Sequence, residues 1–148
     1  MKKAYGTVLS VNISQAKGEK KHNIDCGLLL ANHGLKDDAH VGSWIRQVSL
    51  LAKESIDKIR AKGLDVQYGD FAENLTIEGI YLPSLPIGTV LKVGSEVLLE
   101  VTQIGKVCHE RCNIFYAVGD CVMPREGIFA KVLIGGEVRV GDQIEFAR

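Results

Sequence analysis

Short apolar or alternating runs punctuated by glycine dominate the second half of this chain and commit it to β structure. In Val97-Leu98-Leu99-Glu100-Val101-Thr102, Val97, Leu99 and Val101 share one face and Glu100 and Thr102 take the other, the period of a strand with one face buried. Ile128 to Ile134 is an apolar run broken only by Lys131 and reads as a buried strand. Gly135-Gly136 reads as a two-residue hairpin that returns Val138, Val140, Ile144 and Phe146 to the inner face. Sixteen glycines spread between such segments suit the bends of a small barrel.

The first half adds two more strands, Tyr5 to Ser14 and Ile24 to Ala31, the second containing Cys26. Residues 15–23 are polar and lysine-rich, and residues 32–42 are rich in turn formers with two histidines, so both read as loops. One helix stands out. Ser49 is its expected N-cap, Leu50 to Lys62 contain neither glycine nor proline, and Gly63 stops it. Ala52, Ile56 and Ile59 form its apolar face, and Glu54 and Lys58 are spaced to pair on the solvent side. A short second helix or turn is expected within residues 109–118. The expectation is a mainly β protein, a small mixed β-barrel with one clear α-helix and short helical turns, forming one domain over residues 1–148.

Composition narrows the function. With 18 basic and 18 acidic residues the chain has no net charge, which removes the electrostatic argument for nucleic acid or a membrane surface. Four cysteines in 148 residues are too few for a disulfide scaffold. The basic start Met1-Lys2-Lys3 is followed by Ser10, Asn12 and Ser14, which interrupt the apolar core a signal peptide needs. No apolar run approaches the ~20 residues of a membrane span. A cytoplasmic protein with reduced thiols is expected. Phosphate-cradling and dinucleotide-binding glycine loops and the serine-hydrolase elbow are all missing, so those chemistries have no support.

The chemical content is concentrated in Cys108-His109-Glu110-Arg111-Cys112 and Cys121, with Lys106, Arg111 and Arg125 close in sequence. Cations favour the thiolate, which is both the nucleophile and the metal ligand. Cys108 and Cys112 lie one helical turn apart if the segment is helical, able to share a metal or a disulfide; buried, both would be inert small hydrophobes. A zinc site from Cys108, Cys112 and Cys121 with His109 or His40 lacks the paired knuckles of a zinc ribbon. His40 beside Asp37-Asp38 suits a base, a ligand or a solvated loop. Asn74 and Arg125 suit recognition of a flat heterocycle or a phosphate, and equally a turn and a surface ion pair. His22 and His33 have no distinctive surroundings, and Trp44 reads as a packing anchor.

Taken in order, Gly34-Leu35-Lys36-Asp37-Asp38-Ala39-His40, Phe71-Ala72-Glu73-Asn74-Leu75-Thr76-Ile77, Leu85-Pro86-Ile87-Gly88-Thr89, Leu99-Glu100-Val101-Thr102-Gln103 leading to Cys108, Arg125 to Leu133, and Gly141-Asp142 resemble the MOSC family, named for the molybdenum cofactor sulfurase C-terminal domain. The likeness spans nearly the whole chain. It departs at Asp37, where the family loop usually has glycine, at Ile104 to Val107, which replace a frequent Pro-Arg, and at the extra thiol Cys112.

The resemblance implies a barrel similar to that of pyruvate kinase and a role in molybdenum-cofactor metabolism. It implies that Cys108, with Cys112 nearby, carries sulfur as a persulfide or ligates molybdenum, and that Asp38, His40 and Asn74 face the pterin cofactor; Lys106 and Arg125 are suited in chemistry to its phosphate. Cofactor-biosynthesis or sulfurase proteins are the implied partners. Pyridoxal phosphate belongs to the longer proteins that contain this domain and is not expected on this chain. Two alternatives remain: a molybdenum-dependent reductase of N-hydroxylated compounds fed by a partner, and a metal or redox sensor built on the cysteines.

Overall fold

The computed structural model describes residues 5–17, 19–39, 41–42, 44–105 and 122–147. Its strands are β1 (Tyr5–Ile13), β2 (His22–Asn23), β3 (Cys26–Leu30), β4 (Gly34–Leu35), β5 (Val48–Ala52), β6 (Leu75–Glu78), β7 (Val90–Val93), β8 (Val97–Ile104), β9 (Ile128–Ile134), β10 (Gly136–Arg139) and β11 (Gln143–Phe146). The helices are α1 (Lys53–Arg60) and α2 (Met123–Glu126), with a 3-10 turn at Leu82–Ser84. The protein is mainly β, as the sequence leads one to expect.

Seven strands in the order β11-β7-β8-β9-β5-β6-β1 form a barrel closed by pairing of β1 with β11. Closure removes the unpaired edges of an open sheet. The β5–β6 pair is parallel and its barrel neighbours are antiparallel, so the barrel is mixed. A parallel pair requires a crossover, and α1 lies in it. The second sheet, β10-β3-β4, flanks the barrel.

Val97, Leu99 and Val101 point into the barrel with Leu50, Leu75, Leu91, Ile128 and Ile144, and all are fully buried. Outside the wall a second apolar cluster joins Leu51 to Ile56 and Ile59 of α1, Phe71, Val122, Met123 and Phe129. With cover on both faces, every residue of β5 is buried.

That double burial corrects the helix start. Ser49 is no N-cap; it lies within β5, and α1 begins at Lys53 after Ala52, without a side-chain cap. Leu50, Leu51 and Ala52 bury more surface as a strand between two cores than as an exposed first turn. The Glu54–Lys58 pair also gives way. Glu54 accepts from the Gly79 amide at 2.9 Å, and Lys58 reaches Glu126 of α2 at 2.8 Å.

Gly135-Gly136 makes no hairpin between its flanking strands. β9 pairs with β8 and β5, whereas β10 crosses to β3. A Cβ at Gly135 would collide with the Leu29 carbonyl, so glycine serves close backbone approach there. Of the four positions expected inward, Val138 and Ile144 are buried, while Val140 and Phe146 are exposed. The short helix expected within residues 109–118 lies outside the described residues.

Candidate functional site

Where β5 and β9 meet the loop after α1, a cavity of about 70 Å³ opens. Phe71, Met123 and Phe129 give it apolar lining, Ser49 and Asn74 polar lining, and Trp44 and Arg46 an aromatic ring and a cation. The Arg46 guanidinium carbon lies 5.0 Å from the Trp44 ring centre and 5.5 Å from that of Phe129. Both distances fall inside the cation–π range. Lys17 brings a second cation to 5.8 Å from the Trp44 ring. Trp44 is therefore no buried packing anchor; it is 38% exposed, with two cations over its ring.

Beneath the cavity runs a buried polar network. The Asn74 side-chain oxygen accepts from the Ser49 backbone N–H at 3.0 Å and from its hydroxyl at 3.2 Å. Its amide nitrogen donates to the Asn12 carbonyl at 3.1 Å and also bonds the Asp38 carboxylate. Two donors and two acceptor sites are the whole capacity of a carboxamide. Asn74 thus ties β1 to β5 at the cavity edge.

Asp38 is 4% exposed and accepts from Lys21 Nζ at 2.6 Å and from the Ser14 N–H at 3.0 Å. Burial alone would raise its carboxyl, but these hydrogen bonds and the Lys21 charge outweigh it and hold the group below its ordinary value. Lys21 was expected on a polar loop, yet its side chain is as buried as that of Asp38. Single residues in a lysine-rich stretch carry no signal for this. The partner seventeen positions away becomes adjacent only once the loops fold together.

Glu73 is fully buried, and burial pushes its carboxyl up despite bonds from the Thr76 hydroxyl at 2.7 Å and the Gly69 N–H at 3.0 Å. Its second oxygen has no hydrogen-bond partner among the described residues. Gly69 sits at φ 97°, and a Cβ there would strike the Lys21 carbonyl. The loop leading into β6 is thereby held to the Lys21–Asp38 pair.

The structure brings Asp38 and Asn74 into one network. Arg125 lies on α2, exposed, beside Glu126. Burial works to raise the Glu126 carboxyl, but hydrogen bonds from Lys58 and from Ser55 at 2.6 Å hold it below its ordinary value. Cys108, Cys112 and Cys121, together with Lys106 and His40, lie outside the described residues. The described residues flanking 106–121 converge. The Gly105 N–H donates to the Gly127 carbonyl at 2.6 Å, and Met123 lines the cavity. Cys26, in β3, is exposed beside Glu137, and partial desolvation and that carboxylate push its thiol up, away from the thiolate. Among the described residues no group of three or more His, Cys, Asp or Glu is arranged to hold a metal.

A closed mixed barrel with a cationic, aromatic-walled cavity at the junction of β5 and β9 places the protein among small mixed β-barrels. The MOSC domain pattern matches residues 37–145, and the chain belongs to the MOSC domain family, which is associated with molybdenum-cofactor binding. Asp37, standing where the family loop usually has glycine, does adopt the left-handed conformation, with φ 71°. Among solved structures the fold is similar to the YuaD protein from Bacillus subtilis, with a TM-score of 0.80 and 18% identity over 96% of this chain and 95% of that one. It is also similar to YiiM from Geobacillus stearothermophilus (TM-score 0.70, 16% identity, 97% and 75% covered) and to YiiM from Escherichia coli (0.68, 17%, 97% and 70%). No curated protein matches the sequence. Among the described residues no helix is long and apolar enough to cross a membrane.

Proposed function

We propose that this protein binds molybdenum cofactor or carries sulfur for its maturation, with Cys108 as the working thiolate. The observation that carries the reading is the convergence of the Arg46 cavity with the described residues flanking the Cys108 segment, Gly105 on one side and Met123 on the other. The cavity lining fits such a cofactor in kind. It holds a guanidinium between aromatic faces and, among the described residues, no carboxylate, which suits a flat molecule ending in a phosphate.

In this reading Lys106 and Arg125 favour the thiolate and meet the phosphate, and His40 belongs to the ligand contacts. Asp38 and Asn74 hold the loops on which those contacts stand. When bound, the cofactor supplies a molybdenum centre that takes soft sulfur ligands. For sulfur carriage, the Cys108 thiolate attacks the outer sulfur of a donor persulfide. A new S–S bond forms at Cys108, the donor's S–S bond breaks, and the donor leaves as its thiolate without net oxidation. Cys112 is placed in sequence to take up that sulfur or release it.

Intact-mass measurement after exposure to a persulfide donor tests the reading. The expected result is a gain of one sulfur atom, about 32 Da, reversed by a thiol reductant and lost in Cys108→Ser. A gain that persists in Cys108→Ser removes Cys108 from the role. Molybdenum analysis of protein made in a cofactor-producing host separates cofactor binding from sulfur carriage alone.

A further inference from the structure

We infer that Arg46 is an anion receptor and that the cavity beside it takes a phosphoryl-type oxyanion, either free phosphate or the phosphate end of a larger aromatic molecule. The inference deepens the proposed function and rests on it only for the identity of the rest of the ligand.

The argument begins with donors. The Asn74 and Ser49 side chains in the lining are already engaged with protein partners. Asn74 makes four bonds to protein, and Ser49 donates within the same network. Arg46 has no carboxylate or carbonyl partner among the described residues; its contacts are the Trp44 and Phe129 rings. A guanidinium presents five N–H donors in one plane, and stacking occupies its faces while leaving the edge donors available. An oxyanion bound in bidentate fashion would give the edge donors of this half-buried guanidinium acceptors of matching charge and geometry.

Volume and charge select the ligand. About 70 Å³ is the space of roughly two waters and well below the ~300 Å³ at which sites for whole drug-sized ligands begin. The space suits one tetrahedral anion, the end of a larger ligand rather than the whole of it. Lys17, also over the Trp44 ring, adds a second positive charge at the entrance. The aromatic faces of Trp44 and Phe129 favour an anion attached to a flat ring over a bare one.

Trp44 is the sole tryptophan, so its emission reports directly on this site. The full chain is titrated with inorganic phosphate and with phenyl phosphate at constant ionic strength set by chloride. A saturable change in emission is expected with both, tighter with phenyl phosphate. Arg46→Met should weaken binding at least about tenfold, the loss of a charge-assisted hydrogen bond. Arg46→Lys, which keeps the charge but not the fork, should fall between the two. Circular dichroism checks that the variants fold, and calorimetric titration of the unaltered protein stands in if Arg46→Met does not. No saturable response in the unaltered protein, or equal affinity in a folded Arg46→Met, overturns the inference. Phosphate binding preferred over phenyl phosphate overturns the aromatic part. The mass measurement on Cys108 is read separately, so loss of the anion subsite and loss of the sulfur role are distinguishable.

Discussion

Lys21 and Asp38 are the residues whose replacement should be felt most widely. Both are buried, 2.6 Å apart, and join two loops to the network under the cavity. Removing one member of a buried ion pair strands the other charge, so Lys21→Met should cost about 3–5 kcal/mol in a urea denaturation experiment. Lys21→Met combined with Asp38→Leu should recover only part of this, because Asp38 also accepts from Ser14 and Asn74. The pH dependence has a definite sign. Asp38 is held below its ordinary value of 3.8, so its contribution is present above that pH. It is lost as pH falls toward the depressed native value, where proton uptake favours the unfolded chain. Acid titration of stability should therefore be shallower in Asp38→Asn than in the unaltered protein. Neither burial nor partner was visible from residues 15–23, whose composition describes a solvated loop. Asp38 and Asn74 were singled out as chemical residues, but their hydrogen bond arises from contacts between distant loops.

Among the elements, β5 and α1 show how burial overrides local propensity. The run from Leu50 to Lys62 has helical composition throughout, yet its first three residues extend because they face one core or the other. Ile56 and Ile59 were legible, since a helix covering one apolar cluster keeps its period. The end of α1 was not, for it falls at Arg60 with Ala61 as its C-cap, ahead of the expected stop at Gly63. The junction of β8 with α2 was not legible. Gly105 adopts φ 67°, and a Cβ there would collide with the Pro124 carbonyl at the start of α2. Gly105→Ala should therefore cost more than the about 1–3 kcal/mol of backbone strain alone. Gly63→Ala is the control, with φ 95° and nothing within 4 Å of the added Cβ. Chemical denaturation of the two variants separates strain from collision, and equal losses would mean that α2 does not press on the end of β8.

At the scale of the whole molecule, stability depends on closure of the barrel by β11, which pairs with both β7 and β1. Ile144 is fully buried inside that strand, and Ile144→Ala should cost about 2–5 kcal/mol. Phe146, two residues on, is 42% exposed, and Phe146→Ser should change stability by about 0.5 kcal/mol or less. Comparable thermal shifts for the two would contradict the closed barrel. Apolar alternation and glycine spacing carry the β class, the inward face of β8 and most strand positions, because these are local consequences of a two-residue period and of tight bends. The motif order likewise carries family membership. Strand partners, the crossing of β10 to β3, the second core outside the wall, and the meeting of Trp44, Arg46 and Phe129 depend on contacts between residues far apart in the chain. Such contacts form only when the barrel closes, and no local pattern of residues encodes which distant neighbour each will meet.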